Sequence, residues 1–262
     1  MTIPYYEVSA FTSHHFAGNP AGVCILTEWL PDQLMQSIAA ENNLAETAFL
    51  IEREKYFDLR WMTPTIEMDL CGHATLASAH IIFKNLGRRR DLVNFQSCSG
   101  ELTVERVDER LMLDFPSRPA TPCDSPAGLV DALRAQPKKV FKGRDYLAVF
   151  ERQEYIAAIA PDFELLMKLD ANGVIVTAPG NDCDFVSRYF APRVGVPEDP
   201  VTGSTHCALI PYWSKQLGRK ELHARQLSHR GGELFCEDRG ARVGIGGTAV
   251  TYVEGTIHLP GA

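Results

Sequence analysis

Residues 67 to 87, EMDLCGHATLASAHIIFKNLG, line up without a gap against residues 198 to 218, EDPVTGSTHCALIPYWSKQLG, at an offset of 131. Glu67 falls on Glu198, Gly72 on Gly203 and Ala77 on Ala208, while Lys84, Leu86 and Gly87 fall on Lys215, Leu217 and Gly218. Upstream, FDLRWMTP matches FVSRYFAP at an offset of 128, and the Pro-Asp of LPDQLMQ matches that of APDFELLMK at 130. Downstream, GEL at 100 matches GEL at 232, an offset of 132. Four matches in one order at nearly one offset mean that the chain is two copies of one unit. The period is a whole domain, far beyond the roughly 20–50 residues of a solenoid repeat.

Each copy mixes strands with helices. In the first, YYEVSAF and AGVCILT read as strands joined through the turn-forming FAGNP, and PDQLMQSIAAENN follows as a helix opened by Pro31, with Leu34, Ile38 and Ala39 on one side. TAFLI, YFDLRWM, LVNFQS, GELTVERV and RLMLDF are further strands. The segment FPSRPATPCDSPAG, with Pro116, Pro119, Pro122 and Pro126, is stiff and extended and marks a domain boundary. Beyond it come a short helix, strands YLAVF and YIAAIA, a helix from PDFELLMK, and strands GVIVTA and DFVSRYF. The expected architecture is α+β, with two pseudo-symmetric domains, residues 1–116 and 117–249. The tail 250–262 is expected to return to the first domain as a strand. A chain of 262 residues accommodates two such cores.

In both copies a glycine stands directly before a helix, Gly72 and Gly203, and a lysine, Lys84 and Lys215, lies in the last turn before Gly87 or Gly218. A glycine-led helix start exposes free backbone N–H groups to a carboxylate or phosphate, although most such junctions are only caps. The copies keep the glycine and vary its neighbours: Cys71 faces Thr202, and His73 faces Ser204. Common framework with different chemical groups is what a divided catalytic site in a cleft between the domains would look like. Cys71-x-His73 lacks a second ligand pair at zinc spacing, so no metal is expected. GIGG has no helix after it, which excludes a dinucleotide fingerprint.

The formal charge of −7, from 26 basic and 33 acidic side chains, argues against nucleic acid or an anionic membrane as partner. No leader pattern opens the sequence and no apolar run reaches spanning length. Seven scattered cysteines read as reduced thiols of a cytoplasmic protein.

FAGNPAGV, NNLAETAFL, RWMTPTIEMDLCGHATLA, SRYFAPRVGVPEDPVTGSTH and QLSHRGGEL, in this order, resemble the phenazine-biosynthesis-like isomerase family (the PhzF type) over nearly the whole chain. The resemblance implies a diaminopimelate-epimerase-like fold, each domain a strand layer wrapped around a central helix, and a homodimer. The implied chemistry resembles the isomerisation of trans-2,3-dihydro-3-hydroxyanthranilate, moving a proton between carbons without cofactor or metal. The family's catalytic glutamate falls on Glu46, its histidine on His73, and its aspartate and serine on Asp199 and Ser204. Gly72 and Gly203 would offer amides to a substrate carboxylate, with Asn19 and Cys71 beside them. Taken by themselves, Glu46 reads as a solvated charge before a strand, Asp199 as a cap or turn residue, Ser204 as an ordinary residue of a helix start and Asn19 as a turn former. The epimerases of this fold use one thiol from each domain, and Thr202 occupies the second thiol's position here. The expected substrate is a small carboxylate-bearing compound. An epimerase acting through Cys71 and a non-catalytic binding protein are the alternatives.

Overall fold

The computed structural model describes residues 1–85 and 91–259. The chain folds as two compact units, Met1–Asp114 with Gly246–Ala262, and Phe115–Ile245.

The first unit contains β1 (Thr2–Ala10), β2 (Asn19–Leu26), α1 (Asp32–Asn42), β3 (Glu46–Glu52), β4 (Phe57–Met62), β5 (Glu67–Met68), α2 (Gly72–Asn85), β6 (Leu92–Ser97), β7 (Gly100–Val107) and β8 (Arg110–Pro116). The second contains β9 (Thr121–Cys123), α3 (Leu129–Leu133), β10 (Lys139–Lys142), β11 (Tyr146–Val149), α4 (Gln153–Ala158), α5 (Phe163–Leu166), β12 (Val174–Pro179), β13 (Phe185–Phe190), α6 (Gly203–Leu217), β14 (Glu221–Gln226), β15 (Gly232–Asp238) and β16 (Arg242–Gly247). The last strand, β17 (Ala249–His258), pairs antiparallel with β1 from Thr2↔His258 to Ala10↔Ala249. The divisions between the units fall inside β8 and inside β16.

The doubling seen in the sequence is a doubling of strand topology. In the first unit β1–β2 is antiparallel, β2–β3 parallel, β3–β4 antiparallel, β4–β6 parallel and β6–β7 antiparallel. In the second unit the same alternation runs through β10–β11, β11–β12, β12–β13, β13–β14 and β14–β15. A parallel neighbour requires a crossover, which is why helices fall between those strands.

The main helix of each unit is buried around most of its circumference. In α2, Ala74, Thr75, Leu76, Ala77, Ser78, Ala79, Ile81 and Ile82 are all inaccessible. Such all-round burial is the mark of a helix inside a strand layer. In α6 the apolar face is Cys207, Leu209, Ile210 and Trp213, and Trp213 donates Nε1–H to Thr177 Oγ1 at 2.9 Å. Pro211 inside α6 has no N–H for the carbonyl of Cys207, and the N–H of Arg118 fills that carbonyl at 2.8 Å. Gly218 ends α6 at φ 68°, with its N–H on Ser214 O. The stop expected at Gly87, and Leu86 beside it, lie outside the described residues, as do residues 260–262 of the returning tail.

One local expectation fails, one helix is shorter than its segment, and one pair of strands had no signal in the sequence. YIAAIA begins inside helix α4 and not in a strand, with Ile156 buried in the helix and Ile159 buried just beyond it, because a short apolar run carries no period that separates strand from helix. PDFELLMK yields a single turn, capped where Asp162 Oδ1 accepts from Leu165 N at 3.1 Å. KVFK forms β10, and the proline-rich boundary segment carries β9, which pairs with β10. Among the described residues no helix is long and apolar enough to cross a membrane.

Candidate active site

Parallel pairing of β2 with β3, in which Ala21 stands opposite Glu46, puts the starts of both strands at the same end of the layer. Asn19 is the first residue of β2 and Glu46 the first of β3. His73 is the second residue of α2 and follows Gly72, which opens that helix. Asn19 is placed by Gly18, whose φ is 69° and whose missing Cβ would stand 2.3 Å from Ala10 O. No other residue fits there.

These starts gather three side chains around one imidazole. Nε2 of His73 lies 3.1 Å from Oε2 of Glu46. Nδ1 lies 3.2 Å from Nδ2 of Asn19 and 3.6 Å from Sγ of Cys71. Asn19 is fully buried, Cys71 and His73 are 5% exposed, and the Glu46 side chain is 14% exposed. Glu46 is thus the member of the group open to a small molecule.

Burial above all pushes the Cys71 thiol up, and the nearby Glu46 charge adds to it. For His73, burial is the largest influence and disfavours the cation. Negative Cys71 and Glu46 together outweigh it and hold the imidazole well above its ordinary value. The two directions are coupled: the upward pull on His73 draws first on a Cys71 thiolate, and burial keeps that sulfur as a thiol, which carries no such charge. Donor atoms of Glu46, Cys71 and His73 all lie within 4.8 Å of one another, close enough to consider an ion. His73, however, turns a different nitrogen to each partner, so as placed the ring bridges them as a proton relay does.

The second unit builds a different group at the matching place. Thr202, the counterpart of Cys71, precedes Gly203 at the start of α6, and its hydroxyl donates to the Asp199 carboxylate. Gln226, buried at the end of β14, accepts from Thr202 N at 2.9 Å and donates to Asp199 O at 2.8 Å and Thr202 Oγ1 at 3.1 Å. The Thr202 carbonyl accepts from Nδ1 of buried His206 at 2.8 Å, and burial pulls the pKa of this histidine down to about 4. Ser204 turns another way. Its Oγ accepts from Nη2 of Arg144 at 3.3 Å, and Arg144 Nε in turn meets Asp145 Oδ2 at 3.2 Å. Arg118, Arg144 and Ser204 line a small depression.

Of the sequence candidates, Asn19, Glu46, Cys71 and His73 therefore meet, while Asp199 and Ser204 share a helix start but face different partners. Gly72 and Gly203 each open a main helix. Gln226 and Arg144 carry no mark in the sequence. Gln226 lies inside the QLSHRGGEL motif, but a lone glutamine at a strand end has no signal of its own.

Residues 8–255 match the family model described as phenazine biosynthesis-like protein. An uncharacterized isomerase of Pseudomonas aeruginosa is 48% identical over 99% of this chain and 100% of its own. A crystal structure of a PhzF-family phenazine biosynthesis protein from Enterococcus faecalis superposes with a TM-score of 0.97 at 46% identity, covering 99% of this chain and 100% of that one. A probable proline racemase of Agrobacterium radiobacter, 11% identical, reaches a TM-score of 0.65 over 98% of this chain and 93% of its own, a likeness of fold alone. The fold is the diaminopimelate-epimerase-like one. The chain belongs to the phenazine biosynthesis-like protein family, and it is an isomerase.

Proposed function

We propose that this isomerase moves a proton between carbons of a small carboxylate-bearing compound, with Glu46 as the general acid and base. The observation that carries the reading is the contact of Glu46 Oε2 with His73 Nε2 at 3.1 Å, made by the least buried member of an otherwise enclosed group. A carboxylate ordered by an imidazole can take a proton from carbon and return it to another, so that neither a cofactor nor a metal is required. Amides following Gly72 and those following Gly203, each at the start of a helix of more than three turns, are the candidates to receive the substrate carboxylate. The family pattern adds Asp199 and Ser204 as further catalytic groups. It also makes the protein a homodimer, and free thiols at all seven cysteines suit a cytoplasmic setting.

An epimerase working through Cys71 has less support. The residue matching Cys71 is Thr202, whose hydroxyl is already engaged by Asp199. The deciding experiment is solvent deuterium exchange, followed by NMR, on a panel of cyclic and amino-acid carboxylates. Exchange into at least one of them is expected, and none with any would sink the isomerase reading of this site.

A further inference from the structure

Nδ1 of His73 has two close neighbours, Asn19 Nδ2 at 3.2 Å and Cys71 Sγ at 3.6 Å. An amide NH2 group only donates. A ring nitrogen facing it must therefore present its lone pair, so Nδ1 carries no proton. A neutral imidazole then carries its proton on Nε2, which lies 3.1 Å from a carboxylate oxygen that only accepts. The neighbours on both edges of the ring call for the same single tautomer, although the Nε2–Oε2 approach is a close contact and not an aligned hydrogen bond.

The Cys71 contact gives this consequence. Transfer of the thiol proton, Sγ–H plus Nδ1 going to a thiolate plus Nδ1–H, makes the ring an imidazolium. Its new N–H would point at the N–H of Asn19, donor against donor in a buried place. Without that amide, Cys71, His73 and Glu46 form an unbroken chain in which the ring could draw the proton from sulfur and Glu46 could stabilise the resulting cation. The same three residues would then supply a thiolate base.

We propose that Asn19 is a positioning residue that keeps the thiol proton on Cys71 and the imidazole N–H directed at Glu46, so that the carboxylate and not the thiol does the proton transfer. The proposal deepens the general-base reading of Glu46 and rests on it for its catalytic meaning, while the tautomer itself can be tested separately. Asn19 is suited to the task because it is fully buried and its backbone is fixed between Gly18 and the β1–β2 ladder, where it pairs with Ala10.

The test uses the whole protein labelled with 15N-histidine, with the His73 signals identified by their loss in H73Q. At neutral pH, Nδ1 is expected at a pyridine-like shift and Nε2 at a pyrrole-like one. Thiolate absorbance should not exceed that of C71S. In N19D the new carboxylate accepts from Nδ1–H, so Nδ1 becomes pyrrole-like and a thiolate absorbance appears that is lost in N19D/C71S. A protonated Nδ1 or a thiolate in the wild type overturns the proposal, as does an unchanged Nδ1 in folded N19D. If N19D does not fold, the wild-type measurement decides by itself. Finding the expected tautomer in a protein that exchanges no carboxylate's hydrogens would defeat the general-base reading and leave the placement of the proton intact.

Discussion

Arg188 holds Glu198 through one edge of its guanidinium, Nε on Oε1 at 2.7 Å and Nη2 on Oε2 at 3.0 Å. In the other unit Arg60 holds Glu67 with the same fork, at 2.7 Å on each oxygen. Both pairs tie the second strand of a hairpin to the segment leading into a main helix. Fork-and-carboxylate geometry of this kind fixes direction as well as distance. Their surroundings differ. Arg188 and Glu198 side chains are 11% and 22% exposed, and Nη1 also donates to the carbonyls of Ile156 and Ile159. Arg60 and Glu67 are 23% and 38% exposed.

The buried copy should therefore matter more. Arg188→Ala strands a carboxylate and two carbonyls and is expected to cost about 3 kcal/mol. Arg60→Ala should cost about 1 kcal/mol. Urea unfolding of the two variants compares them directly. Equal losses would mean that the fork itself, and not its burial, sets the energy.

Glu46→Gln preserves the side chain's shape and removes its ability to accept a proton. Exchange of substrate hydrogen with solvent should fall by about a hundredfold or more, the scale of a lost general base. Carboxylate binding, followed by thermal shift, should persist because both helix starts are untouched. Cys71→Ser should lose much less exchange than Glu46→Gln. The opposite order would identify a thiol-dependent epimerase.

His206 gives a pH dependence whose sign is fixed. Its folded value near 4 lies below the 6.5 of a free imidazole, so in between only the unfolded chain takes the proton. The stability it contributes is present above about pH 6.5 and is lost as the pH falls toward 4, about 3 kcal/mol in all. Thr75, at the matching place in α2, makes the same bond to the Cys71 carbonyl with its hydroxyl. His206→Thr should keep the bond to Thr202 and lose this slope. Denaturant unfolding between pH 7 and pH 4 would show it, and parallel curves for the two proteins would refute the neutral, buried state.

Two glycines at similar backbone angles should respond differently to alanine. Gly218, at φ 68°, has open space around its missing Cβ, so Gly218→Ala costs about 1 kcal/mol for the left-handed backbone. Gly18, at φ 69°, adds a clash with Ala10 O and Thr12 Cγ2, and Gly18→Ala should cost roughly 3 kcal/mol and displace Asn19. Calorimetry that ranks them equally would mean the Gly18 turn yields easily.

The sequence revealed the doubling because a backbone requirement, a glycine opening a buried helix, survives while its neighbours change. Helix α4 stayed hidden because YIAAIA buries only Ile156 and Ile159, too few positions to define a period. At the site, family motifs pointed to Glu46 and His73, but nothing local said that they touch. Their meeting depends on the packing of α2 against the paired strands β2 and β3, a long-range fact. Asn19, in GNP, reads equally well as a turn former and as a site residue, and only the contact of its amide with His73 separates the two. Gln226 and Arg144 act through partners distant in sequence and were correspondingly silent.

The antiparallel ladder from Thr2↔His258 to Ala10↔Ala249 gives the molecule a calendar. During synthesis, residues 115–245 are complete while the first unit still lacks β17, its partner for β1. The N-terminal strand thus waits on the ribosome with one edge unpaired until β17 has been made. A stop codon before Ala249 would spare the later-made unit and leave the earlier-made one open, with a bare strand edge that invites pairing with other chains.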